Sequence, residues 1–275
     1  MKYPGQLQAG RQAIIMNAMT QDYKAGLSPA IFGIRPNRLR WWVQLVALGI
    51  LWLVSMPALG AVIVFDRLTA ADQPVFLKVQ TRGFFFAEGG GRVTLSINGG
   101  QTYRLLTGGD GFGYVKYLPS GPGRFNISAE STGTDSHAVL LVVSSDDRII
   151  LLDFEMLLKR LLQRPDEKRM AREVLAALPP DCHLVYVVRY LGTEMARRWL
   201  LAQEYPRAVI LDGTLPDIYA QLTNKNIQIR AVIGTSGAID GRIDDGVLKL
   251  TFDASEKGTT VENWNQIRKD LMEKK

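Results

Sequence analysis

The feature that most constrains this chain is a run without a single charge, WWVQLVALGILWLVSMPALGAVIVF, from Trp41 to Phe65. As a helix rising about 1.5 Å per residue it exceeds the ~30 Å hydrocarbon core of a bilayer, so it can span with tilt. Trp41 and Trp42 stand at one end, where indole rings settle at headgroup level, and Arg35, Arg38 and Arg40 precede them. Asp66 and Arg67 cancel at the other end. The positive-inside rule then predicts a basic cytoplasmic leader over 1–40, a transmembrane helix over 41–65, and everything beyond it in the periplasm. That is a single-pass protein of the inner membrane, with the lipid bilayer as its first partner. A cleaved signal peptide competes with this reading, because Ala58-Leu59-Gly60 before Ala61 offers the small residues a signal peptidase accepts.

Charge is uneven in a way that excludes one class of function. The net charge is +6, yet residues 1–40 carry six Lys or Arg against Asp22 alone, which leaves +1 for the rest. A nucleic-acid footprint needs its basic residues clustered on a folded domain, so no nucleic acid is expected as partner. One cysteine, Cys182, allows no internal disulfide and no Cys-rich metal site, and two histidines, His137 and His183, are too few for a zinc centre. With 47 % apolar and 22 % charged residues the composition is that of a globular protein.

Between 70 and 145 the sequence alternates apolar and polar residues in short runs separated by turn residues. Val93 to Ile97 alternates, Asn98-Gly99-Gly100 supplies a hairpin turn, and Tyr103 to Leu105 follows. Gly108 to Gly111 turns the chain again, Phe125 to Ala129 alternates, and Ala138 to Val143 is continuously apolar. This predicts an all-β, immunoglobulin-like sandwich. Strands rather than a helix N-terminus follow the glycines, so they read as turns and not as a phosphate loop.

From 148 to 275 the period changes. Ile149 to Leu152 reads as a buried strand ending in Asp153, and Pro165 to Leu178 as a helix with Met170, Val174 and Leu178 on one face. Further strands are expected at Leu184 to Val188, Ala208 to Leu211, Ala231 to Ile233 and Leu248 to Phe252. Helices are expected after Thr193 and Thr214 and around Trp264, Ile267 and Leu271. The alternation predicts a doubly wound, Rossmann-like α/β domain with its site at the carboxyl ends of the strands.

The strand ending in Asp153-Phe154-Glu155, then LVYVVRY, then AVIGTSGAID, resembles the motif order of the haloacid-dehalogenase superfamily. The approach HAVLLVVSSDDRIILLDFEML is most similar to its secreted or lipin-like phosphatidate phosphatase branch, in which a β-sandwich precedes the catalytic domain. The resemblance implies a nucleophile at Asp153 and a general acid at Glu155, the latter one methylene longer than the family's aspartate. It implies a third-motif lysine at Lys225, phosphate contacts from Arg189, Thr235 and Ser236, and Mg²⁺ held by Asp153 and Asp240. Several positions depart from the pattern. Leu157 stands where the first motif has threonine, Val188 where the second has a hydroxyl, and Asp240 is the one carboxylate near the fourth. These losses remove transition-state stabilisation from several directions, which points to a pseudo-phosphatase needing no cofactor. Gly234-Thr235-Ser236-Gly237-Ala238 lacks the second glycine of a nucleophile elbow at the required place. The sequence thus leads to a membrane-anchored, extracytoplasmic binding or structural protein, an accessory subunit beside membrane-protein partners. The alternative is a divergent Mg²⁺-dependent phosphatase acting on a phospholipid or small phosphoester.

Overall fold

The computed structural model describes residues 61–83, 86–241 and 243–273, which belong to one compact unit. It opens on a strand. β1 (Ala61–Val64) pairs antiparallel with β3 (Val75–Arg82), and β3 with β6 (Phe112–Tyr117), as a three-stranded sheet. Facing it is a five-stranded sheet in the order β2 (Arg67–Ala70), β8 (Thr134–Val143), β7 (Gly123–Ser131), β4 (Arg92–Ile97), β5 (Gln101–Leu106). Turn chemistry fixes two of the hairpins. Asn98 and Gly99 take positive φ of 49° and 68° between β4 and β5, and Thr132 and Gly133 take 44° and 80° between β7 and β8. Inward residues of both sheets, among them Val64, Leu77, Leu95, Ile127 and Leu140, form the sandwich core.

A third sheet follows. Its six strands run parallel in the order β11 (Val209–Asp212), β10 (Cys182–Val188), β9 (Arg148–Asp153), β12 (Gln228–Ile233), β13 (Leu248–Thr251), β14 (Thr259–Thr260). One face, built from Ile150, Leu152, Tyr186 and Ile233, is covered by α1 (Phe154–Gln163), α2 (Lys168–Ala176), α3 (Thr193–Ala202) and α6 (Trp264–Glu273). The other face is divided. Helices α4 (Leu215–Thr223) and α5 (Ser236–Ile239) cover part of it. The outward side chains Leu68, Val139, Leu141 and Val143 of β2 and β8 pack against Ile149, Leu151, Val185 and Val187 over the rest.

These observations correct the expected fold class in two places. The transmembrane helix predicted over 41–65 does not hold over its last part, because Ala61–Val64 is β1. Its side chains alternate, with Val62 and Val64 buried in the sandwich, and a short β-branched apolar run satisfies a strand as well as a helix. Residues 1–60, with the rest of that segment and the leader, lie outside the described residues. Among the described residues no helix is long and apolar enough to cross a membrane, so the single-pass inner-membrane placement is not carried forward. The second correction concerns the doubly wound, Rossmann-like, haloacid-dehalogenase-like domain, which is not what the chain forms. Among the described residues fourteen strands stand against six α-helices, and a sandwich sheet takes the place of helices over part of one face of the parallel sheet. Val139, Leu141 and Val143 are simultaneously strand residues of one layer and core residues of the next.

Asp66, expected beside a membrane surface, is instead buried with its side chain fully shielded. Its Oδ1 accepts from the Val139 N–H at 2.8 Å and from Arg197 Nη2 at 3.0 Å, and its Oδ2 from the Ile210 N–H at 2.8 Å. One carboxylate thus satisfies β8, the buried outer edge of β11 and helix α3, which closes an edge that would otherwise leave a backbone donor unpaired.

Candidate functional site

The carboxyl ends of the parallel strands gather most of the residues the sequence singled out. β9 ends in Asp153, which leaves the strand at φ −64°, ψ 115° and caps α1 by accepting the Met156 N–H at 2.9 Å on Oδ1. Helix α1 begins at once after it, so Phe154 and Glu155 are first-turn residues. Glu155 turns across to the neighbouring strand. Its Oε1 accepts from the backbone N–H groups of Arg189 and Tyr190 at 2.9 Å and Leu191 at 3.4 Å, holding the loop after β10. Val188 is buried and offers only its carbonyl, which accepts the Gly213 N–H at 3.0 Å. Arg189 is exposed, with its guanidinium 4.6 Å above the Tyr190 ring.

The remaining positions do not converge on Asp153. Thr235 precedes the single turn of α5 and makes no side-chain cap, and Ser236 is the first residue of that turn. Asp240 ends it and faces away toward the 253–258 loop, accepting from Ser255 Oγ and from the Lys257 N–H at 3.0 Å. The Ser255 hydroxyl, with the two backbone donors of Glu256 and Lys257, holds the Asp240 carboxyl below the usual carboxylate range. Lys225 lies in the turn between α4 and β12, at the amino end of the sheet, where its carbonyl accepts from Gln73 Nε2 at 3.3 Å. Desolvation, then the nearby Arg67 charge, lowers its pKa.

These donors do not fit Mg²⁺. A hard cation of that size wants near-octahedral oxygen, and Asp153 and Asp240 each spend oxygens on separate backbone or hydroxyl donors. Among the described residues no three His, Cys, Asp or Glu side chains gather as a metal set. Gly234 seals the position from the β12 side. A Cβ there would stand 3.6 Å from the Asp153 Cβ and 2.6 Å from Leu215 Cδ2. None of Asp153, Glu155, Arg189, Lys225, Thr235, Ser236 and Asp240 lines any of four well-formed clefts among the described residues.

The environment of Asp153 gives a signed expectation. Burial pushes its carboxyl above the ordinary range, against the opposing Met156 N–H. A carboxyl raised in this way adds stability only below its unfolded value, and that contribution is lost as pH rises through the folded value. At neutral pH the charge is therefore a cost. Asp153→Asn keeps a capping oxygen and removes the charge, so at pH 7 the variant should unfold at the same or a higher urea concentration. The difference should shrink on acidification. A loss of more than about 1 kcal/mol at neutral pH, the worth of a typical cap, would contradict this account.

One cleft lies away from these residues. A cleft of about 840 Å³ separates the outer face of β7 and β8 from α3 and the loop entering β11. Arg124, Arg197, Arg207, His137 and Asn126 line it around an apolar floor that includes Leu200 and Ile210. Sequence reasoning missed it because its residues come from one strand pair, one helix and one loop, with no shared motif. The one signal available was Arg207 beside Pro206, and a single exposed arginine has no diagnostic value.

No protein-family model matches the sequence, and the search of curated proteins gives no match. Solved structures offer partial likenesses. The D0-D1 domain of intimin is 16 % identical over 29 % of this chain and 44 % of its own, with a TM-score of 0.25. The IG27 protein domain is 13 % identical over 30 % of this chain and 98 % of its own, with a TM-score of 0.24. Domains 4 and 5 of the S-layer protein SbsC are 15 % identical over 32 % and 54 %, also at 0.24. The chain spans less than half the length of the intimin chains it matches. Likenesses at this level carry no argument about function, which has to be read from the residues themselves.

Proposed function

We propose that this chain is a binding or structural protein, an accessory subunit of a larger assembly, whose parallel-sheet portion is catalytically silent. The observation that carries the reading is the use made of Glu155. The carboxyl group that the phosphatase resemblance assigns to proton donation is instead the acceptor for three successive backbone N–H groups. An acceptor there stabilises the loop, and the three bonds to Oε1 hold the side chain against backbone rather than free for a substrate. Asp153 caps a helix and Val188 offers no hydroxyl, so the nucleophile and phosphate-holding positions of the resemblance are given over to structure or lack the needed group.

Exposed aromatics supply the complementary argument for a partner. Phe76 and Tyr114 are 57 % and 56 % exposed on the outer face of the three-stranded sheet, and Tyr190 and Met195 are 73 % and 53 % exposed after β10. Large apolar side chains held outward, two of them on strands, suit association with another protein. Full-length protein should give no Mg²⁺-stimulated hydrolysis of phosphatidate or p-nitrophenyl phosphate above a blank. A metal-dependent rate that Asp153→Asn abolishes would overturn the reading.

A further inference from the structure

We propose that the cleft between the outer face of β7–β8 and helix α3 is a binding site for a small amphiphilic anion, a carboxylate or phosphate carried on an apolar body. Its size falls in the range of small-molecule sites, about 300–1,000 Å³, and its volume is about 840 Å³.

The charge is one-sided. No Asp or Glu lines the cleft, whereas three arginines and His137 do. Asp66 offsets Arg197, and Asp135 faces His137 at 3.1 Å from outside the lining. Arg124 and Arg207 keep no acidic partner among the described residues. Arg124 spends Nη1 on the Arg207 carbonyl at 3.0 Å, which ties β7 to the β11 approach and leaves its other donors open. The same bond holds the two residues that carry these guanidinium groups together at one cleft. Guanidinium forks match carboxylate and phosphate oxygens bidentately.

A second observation points the same way. Arg197 Nε is buried without a hydrogen-bond acceptor, so the wall keeps one unfilled N–H donor although Asp66 at 3.0 Å and Glu194 at 3.8 Å meet the Arg197 charge. The floor is apolar, with Leu200, Tyr205 and Ile210 buried and Leu201 47 % exposed at the rim. Asn126 and Ser128 project from the β7 wall, the former beside the Asn98 side chain that accepts its N–H at 2.8 Å. A bare inorganic ion would leave that floor wet, and a neutral apolar molecule would leave the two arginines unanswered. Only a molecule with both parts uses the whole cleft.

The site is separate from the strand ends, and its test reads independently of phosphatase activity. Full-length protein would be titrated with 1-naphthyl phosphate and with 1-naphthoate, with 1-naphthol and inorganic phosphate as the apolar and ionic halves alone. Saturable one-site binding of either anion is expected, and which one binds tells phosphate from carboxylate. Both halves should bind at least roughly tenfold more weakly, as loss of a charge-assisted contact or of buried apolar area implies. The exposed double variant Arg124→Gln, Arg207→Gln should fold normally and weaken the anion by a similar factor, and Leu201→Asp should weaken it through repulsion. Absence of saturable binding by both anions, equal affinity for naphthol, or an unaffected double variant would overturn the proposal. Release of naphthol from the phosphate would count against the silent-domain reading alone.

Discussion

Asp66→Ala should destabilise the protein by about 3–5 kcal/mol, the scale for removing one partner of a buried ion pair. The carboxylate is fully shielded and receives two backbone N–H groups and one guanidinium. Without it the Val139 and Ile210 donors lose their acceptor away from water, and Arg197, 21 % exposed, keeps a charge with only Glu194 at 3.8 Å. Each unmet donor adds desolvation cost. Because these groups belong to β8, β11 and α3, the loss falls on the junction of the layers. Urea unfolding would show a lower midpoint. Asp66→Asn, which keeps two acceptor sites on one oxygen but no charge, should lose less, and adding Arg197→Met to Asp66→Ala should recover part of the loss. If Asp66→Ala unfolds within about 1 kcal/mol of the parent, the carboxylate is not the clasp described here.

Trp264→Ala should cost a comparable amount, about 3–5 kcal/mol, for a different reason. Trp264 opens α6, is fully buried, and lies 5.4 Å from the Phe252 ring. Phe252 in turn stacks under the Arg160 guanidinium at 4.3 Å, and Arg160 pairs with the largely buried Glu167. Removing the indole leaves a void beside the Phe252 ring in the core that α6 covers. The indole Nε1–H has no acceptor, so no hydrogen bond is lost and the effect reports packing alone. Trp264→Phe should therefore retain most of the stability. Equal losses for Phe and Ala would show that something other than ring volume matters here.

The contrast between these two positions marks where sequence is informative. Trp264 was legible because Ile267 and Leu271 follow it at helical spacing, and the apolar face of such a helix has one place to go. The β4–β5 hairpin was legible because Asn98-Gly99 tolerates positive φ and the flanking residues alternate. Asp66 was not, since a carboxylate next to an apolar run reads as an exposed boundary. Its burial depends on Val139, Arg197 and Ile210, all more than 70 residues away in sequence.

The candidate site divides in the same way. Asp153 at the end of a strand was visible in the sequence, where it could be a nucleophile or an N-cap, and only the position of the Met156 N–H showed that it caps the helix beginning at Phe154. What Glu155 does was decided by which backbone donors the next strand brings within 3 Å. Legible from the sequence were the alternation of β4 and β7, the turn after β4 and the helices after Thr193, after Thr214 and around Trp264, since those follow from the period of apolar residues and from backbone sterics. Only the tertiary structure decided that Ala61–Val64 is a strand, that a sandwich sheet covers part of the parallel sheet, and that two carboxylates hold backbone. Each of these depends on which groups meet across long separations, and hydropathy and local propensity carry no information about that.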